Sequence, residues 1–366
     1  MFLLSVACAA VATTLAMPII NQVQVTNEPT LSVTMDLAAR LITCVPGLSN
    51  APGGTVLLGE IWPLSDGARM SCLTRYFLLL VHGTGSKGSE SWASGPYVRV
   101  LPITGKRYKP CYIDLPNRSI GDAQLTAEYV VAAIKFLAPR SSTKKVAVIG
   151  HSQGAGLNIP WALQFWPSTQ ALVSSFIALA GDFHGTTTSV LLCGTAVSFC
   201  AASVKQQTKG SRYLAAQNSA AMGSARSALV PTTSIFTRLD DVIQPEGPTN
   251  AEATSFLPGA SNFALQDATI CGSIHYANHV AMLTDSAAFG LAKAALENPT
   301  APVFDRSYCS HIRESPASSF TGLGGLLSGG MADMLAIARS SVEGIRAEPA
   351  LKSYVCERGF ATQCAD

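Results

Sequence analysis

The sequence predicts an α/β fold in which a mostly parallel central sheet is flanked by helices on both faces. Three observations carry that expectation. Short, wholly apolar runs recur along the chain, as strands buried on both faces require; residues 77–81 read FLLLV and residues 146–150 read VAVIG. Between them, residues 122–137 (DAQLTAEYVVAAIKFL) place their apolar positions on one face of a helix. Each run also ends in turn-forming, chemically active residues: His82-Gly83-Thr84-Gly85 after the first and His151-Ser152 after the second. Alternating buried strands and helices read as a parallel sheet covered on both sides.

Taken in order, residues 54–58 (GTVLL) and 77–81 are two candidate strands for the same place ahead of His82. The segment between and including the second copy, about 59–80, therefore reads as an insertion, either a surface loop or a translated intron. The Lys106-Arg107-Tyr108-Lys109 cluster reads as a solvated turn. After the strand at 146–150, Gly154 onward begins a helix that Pro160 should kink. Further strands are expected over 176–180 and 234–239, and a helix over 280–296 (VAMLTDSAAFGLAKAAL). Residues 320–345 form a Gly/Ser/Leu-rich stretch followed by a helical pattern. Such a stripe reads first as a core-packing helix and second as an apolar flap at a site mouth.

Composition narrows the class. Of 366 residues only 13% are charged, against about twice that in an average soluble domain. With a net charge of +2 and 48% apolar residues, the chain is neither a disordered acidic tail nor a polybasic nucleic-acid binder. Ten cysteines, none in a C-x-x-C pair, point to an oxidising compartment. The start of the chain agrees: there is no charge before Glu28, and small residues end at Ala16. Residues 1–16 are thus expected to be a cleaved signal peptide, although they lack a positive n-region. No later segment is apolar enough to span a membrane. Loss of the signal removes Cys8 and leaves an odd number of cysteines, so one thiol stays unpaired or pairs between chains. Asn117-Arg118-Ser119 is a glycosylation sequon.

Chemistry is concentrated in Gly150-His151-Ser152-Gln153-Gly154, which fits G-x-S-x-G between a strand and a helix. The glycines suit a strained strand-to-helix turn that exposes a serine, and the helix N-terminus offers N–H groups to a developing oxyanion. A serine hydroxyl needs a base, itself oriented by a carboxylate. The order Ser, acid, His leaves Asp240 or Asp241 as the acid, after the strand at 234–239. It leaves His279 or His275 as the base. The spacing His275-x-x-x-His279 also fits a metal pair, but the H-E-x-x-H glutamate and a third ligand are missing. No metal or cofactor is expected. His82-Gly83-Thr84-Gly85 suits the second half of an oxyanion hole.

These residues resemble the secreted fungal lipases of the Candida antarctica lipase B type, which have the α/β-hydrolase fold. The likeness runs from about Cys44 to Cys309, and more faintly to Cys364. It rests on HGTG, on LVPTTSIF followed by LDDVIQPE, on FIALAGDFHGTT, and on Cys271 placed eight residues before His279. The resemblance implies Ser152 as nucleophile, Asp240 as acid and His279 as base, with Thr84 and Gln153 as the oxyanion hole. Asp182 is implied as a nearby hydrogen-bonding carboxylate. It further implies disulfides Cys44–Cys111, Cys271–Cys309 and Cys356–Cys364; Cys193 and Cys200 are close enough for a fourth, and Cys72 is left over. The implied domain plan is a catalytic domain over 17–345 and a disulfide-pinned tail over 346–366. The implied protein is a secreted monomer that hydrolyses apolar esters or lipids. An esterase of short soluble esters, or a non-catalytic binding protein on the same fold, are the alternatives. One departure stands out: His151 stands where lipase B has a tryptophan lining its stereospecificity pocket, so that enzyme's selectivity does not carry over. His151 itself is expected to be structural.

Overall fold

The computed structural model describes residues 28–45, 76–104, 106, 108–189, 200–219, 227–310 and 344–365. The expected signal peptide, most of the expected insertion, Cys72, Cys193, and all but the last residues of the 320–345 segment lie outside them. Seven strands make one sheet: β1 (Ile42–Cys44), β2 (Tyr76–Val81), β3 (Tyr108–Ile113), β4 (Val146–His151), β5 (Val173–Leu179), β6 (Thr232–Phe236) and β7 (Ser261–Ala264). Their order is β1-β3-β2-β4-β5-β6-β7. Only β1 runs antiparallel to its neighbour, with Cys44 opposite Cys111. The others are parallel.

Strand alternation divides the core. Leu79, Val81, Val148 and Phe176 pack on one side, under the helices Ala123–Leu137 and Ile159–Phe165. Leu78, Leu80, Ile149, Ile177 and Ile235 pack on the other, under the helix Ser286–Glu297. Side chains of a strand point alternately to opposite faces, so a strand covered on both sides must be apolar throughout. That is why FLLLV and VAVIG carry no polar residue.

The helix expected over 122–137 is Ala123–Leu137, with Asp122 as N-cap accepting from Gln124 N. Three elements differ from expectation. The helix expected over 280–296 divides into a 3₁₀ turn, Ala281–Leu283, and the helix Ser286–Glu297, because the Asp285 side chain caps the second piece by accepting from Ala288 N. The strand expected over 234–239 is Thr232–Phe236 and stops short of Asp240. The Lys106–Lys109 cluster is only partly a solvated turn. Tyr108 and Lys109 belong to β3, and the Lys106 ammonium donates to the carbonyls of Leu296 and Glu297 at the end of a helix, where a cation is favoured.

β2 is the strand that feeds His82, and it overlaps the expected insertion at residues 76–80. Disulfides join Cys44 to Cys111, Cys271 to Cys309 and Cys356 to Cys364. Cys200 is also disulfide-bonded. Among the described residues, no helix is long and apolar enough to cross a membrane.

Candidate active site

In open parallel sheets, function gathers beyond the carboxyl ends of the strands. Here His82 and Thr84 follow β2, Ser152 follows β4, Asp182 follows β5, Asp240 follows β6 and His279 follows β7. The sheet therefore brings residues separated by nearly 200 positions to one edge.

Ser152 sits in the left-handed region, φ 55°, between β4 and a single π-helical turn, Gly154–Asn158. π-Turns occur often at functional sites. The turn passes directly into the helix Ile159–Phe165, with Pro160 in its first turn, where a proline's missing N–H costs little. The motif glycines are there because the elbow leaves no room for a side chain. A Cβ on Gly150 would come 2.7 Å from Ala155 Cα, and one on Gly154 would come 2.6 Å from the His82 carbonyl oxygen.

Asp240 and His279 meet in a dry environment. His279 Nδ1 donates to Asp240 Oδ2 at 2.8 Å, and both side chains are fully buried. The second Asp240 oxygen accepts from Val242 N at 2.8 Å and Ile243 N at 2.7 Å, which fixes the carboxylate's plane. Burial pushes the His279 imidazole down, but the Asp240 carboxylate, its hydrogen bond, and then Asp241 and Asp182 together raise its pKa above the ordinary value. Among the described residues His279 Nε2 is buried without a hydrogen-bond partner, the Ser152 hydroxyl included. A base whose outer nitrogen is uncommitted can take a proton from a substrate-activated hydroxyl.

The alternatives that spacing left open separate cleanly. Asp241 accepts from the His279 backbone N–H at 3.2 Å, not from its ring. His275 pairs with Asp285 at 2.9 Å, away from Asp240. His184 is bonded to the Phe256 carbonyl. No three His, Cys, Asp or Glu side chains converge to hold a metal among the described residues.

On the β2 side, the Thr84 hydroxyl donates to Gln153 Oε1 at 2.6 Å and accepts from Gln207 Nε2 at 2.8 Å. Gln207 was not foreseen from sequence; it ends the helix Ala202–Gln207 and belongs to no motif. His82 holds the start of this loop. Its Nδ1 donates to the Gly83 carbonyl at 2.8 Å, and its Nε2 accepts from Leu115 N at 3.0 Å. Burial drops the His82 pKa to about 4, so both bonds persist at neutral pH. The turn at Arg118 braces the far end, with Gly85 N donating to the Arg118 carbonyl and Arg118 Nε to the Gly85 carbonyl. Asp182 is fully buried nearby, but among the described residues neither carboxylate oxygen has a hydrogen-bond partner, contrary to the hydrogen-bonding role expected of it. Burial pushes its pKa up to about 7.

Fold and site together define the class. The chain belongs to the alpha/beta hydrolase family, whose profile matches residues 78–318. It is 32% identical over 246 residues to lipase B of Pseudozyma antarctica, an alignment that covers 67% of this chain and 68% of that protein. It is also similar to the crystal structure of Aspergillus fumigatus lipase B, with a TM-score of 0.68 at 25% identity, over 94% of this chain and 77% of the other. By this kinship the chain is a carboxylic ester hydrolase.

Proposed function

We propose that the protein is a secreted serine hydrolase of the lipase type, acting on acylglycerols or other apolar esters through an acyl-enzyme. One observation carries the reading: a buried Asp240–His279 pair, with His279 Nε2 uncommitted, whose histidine carbonyl is bonded by the residue immediately before a serine on a strained elbow. Ser152 Oγ attacks the ester carbonyl while His279 Nε2 takes its proton. Asp240 stabilises the imidazolium and holds the ring. The oxyanion accepts from the Thr84 hydroxyl and backbone and from the Gln153 N–H. His279 then gives the proton to the departing alcohol. Water, activated by the same nitrogen, attacks the acyl-Ser152 ester and releases the acid. No step calls for a metal or cofactor.

The Thr84 hydroxyl points at Gln153 Oε1 in the free enzyme. It must turn toward the substrate, and the Gln207 amide, which donates to its lone pair, supports it through that rotation. The low charge of the surface suits a protein that meets apolar substrate. The disulfides among the described residues fit an oxidising compartment.

The test is a chain-length series of p-nitrophenyl esters on the secreted protein and on Ser152→Ala. The reading expects turnover that rises from acetate to longer acyl chains and falls by at least about 10⁴ in the variant. Turnover confined to acetate identifies a short-ester esterase instead. No turnover with any ester rejects the catalytic reading.

A further inference from the structure

We infer that His151 is a positioning residue: it ties the base to the nucleophile elbow by donating a hydrogen bond from its ring to the backbone of His279. This rests on the triad reading above and adds to it a residue outside the triad and the oxyanion hole.

Residue 279 is gripped at three points. Its N–H donates to Asp241 Oδ1 at 3.2 Å, its ring Nδ1 donates to Asp240 Oδ2 at 2.8 Å, and its carbonyl oxygen lies 3.0 Å from His151 Nε2. The first two partners both belong to the loop after β6. His151 is the last residue of β4 and the immediate neighbour of Ser152. Among the described residues it therefore supplies the one hydrogen bond from residue 279 to the nucleophile's own strand. A carbonyl can only accept, so His151 carries its proton on Nε2 and acts as donor. The His151 and His279 rings lie 4.7 Å apart, centroid to centroid, tilted by 42°.

The elbow end of this link is rigid. Ser152 N donates to the Leu179 carbonyl at 3.0 Å, and His151 sits in register with Leu179 on β5. Both histidines are buried, so a lost donor would not be replaced by bulk water and the His279 carbonyl would be stranded. The donor also has to be uncharged, because a cation stacked against His279 would oppose the imidazolium that forms during catalysis. Burial, followed by the nearby His279 charge, drops the His151 pKa to about 3. The link therefore stays neutral wherever the base works. The bond that His151 makes sets the His279 backbone relative to the elbow, and with it helps to set the distance from Nε2 to Ser152. Errors of about 1 Å in such a distance cost on the order of 10²-fold in rate.

Three variants test the assignment. His151→Phe keeps a ring but has no donor. In His151→Gln the terminal amide nitrogen falls near the place of the imidazole Nε2. His151→Asn has an amide too short to reach. Steady-state kinetics on p-nitrophenyl butyrate are read alongside thermal melts and the downfield proton resonance of the His279–Asp240 hydrogen bond. The expected result is a kcat lower by about 10- to 100-fold in Phe and Asn with KM within twofold, and recovery to within about fivefold in Gln. The downfield resonance should move in Phe and Asn and hold its position in Gln. Equal losses in all three variants, or a Phe variant within twofold of the parent, overturn the inference. If Phe does not fold, the Gln-to-Asn contrast decides alone. If the parent protein itself hydrolyses no ester, the triad reading fails; the resonance comparison still reports whether His151 positions His279.

Discussion

At the scale of single residues, the site is governed by what burial does to titratable groups. His279 is pulled in two directions, down by desolvation and up by Asp240, Asp241 and Asp182, and the carboxylates win. Its folded-state pKa lies above that of a free imidazole. In the proposed mechanism the protonated form is useless as a base, so activity should be lost as pH falls through that raised pKa, whereas the ion pair's contribution to stability runs the other way. That contribution is full below the unfolded imidazole pKa and disappears as pH rises through the folded one. The acid limb of kcat/KM should accordingly lie at higher pH than for an unperturbed histidine. In Asp240→Asn, with burial dominant, the limb should move to lower pH while kcat falls by about three to four powers of ten. A limb that stays in place in that variant would show that another group titrates. The residue roles were only partly legible in the sequence. G-x-S-x-G marked Ser152, and chain order confined the acid and base to two aspartates and two histidines. Spacing could not divide His275 from His279, because both lie in one loop and only the fold reveals that His275 is consumed by Asp285.

At the scale of elements, the strongest signals were the strands buried on both faces and the capped helix Ala123–Leu137. What the sequence concealed has physical causes. β1 is three residues long and only half buried, β7 reads SNFA and is mostly half buried, and β3 contains Pro110. Edge position lets strands be short and polar, so the apolar signal fades. Pro110 is tolerated in β3 because it lies just past the last register pair with β1, Cys44–Cys111, and the bond it makes there uses its carbonyl, which accepts from Val45 N, rather than the N–H it lacks. Gln207 was invisible because its partner Thr84 is 123 positions away. The loop from His82 to Gly85 is the element with most at stake: His82 and Arg118 fix its two ends, while Gln153 and Gln207 hold Thr84 between them. Thr84→Val keeps the shape and removes the hydroxyl. It should lower kcat by about 10²–10³, near 3 kcal/mol, as loss of one oxyanion donor does, with the melting temperature nearly unchanged. An unaltered kcat would remove the Thr84 hydroxyl from the oxyanion hole.

At the scale of the whole molecule, the sheet is the device that assembles the chemistry. Its order places β2, β4, β5, β6 and β7 so that their carboxyl ends form one edge, and the two apolar layers keep that edge fixed. Low charge and abundant cysteine agree with three described disulfides, one of which stitches β1 to β3. The expected insertion gains one constraint: residues 76–80 belong to β2, in the heart of the sheet, while 59–75 lie outside the described residues. The central claim is that this assembly activates Ser152. Its most direct measurement is mass spectrometry of the intact secreted protein before and after treatment with a p-nitrophenyl phosphonate, followed by peptide mapping. A single phosphonyl adduct on Ser152, formed as its Oγ displaces p-nitrophenolate, is expected, with no adduct in Ser152→Ala. A folded protein that remains unmodified, or an adduct that persists in Ser152→Ala, would contradict it.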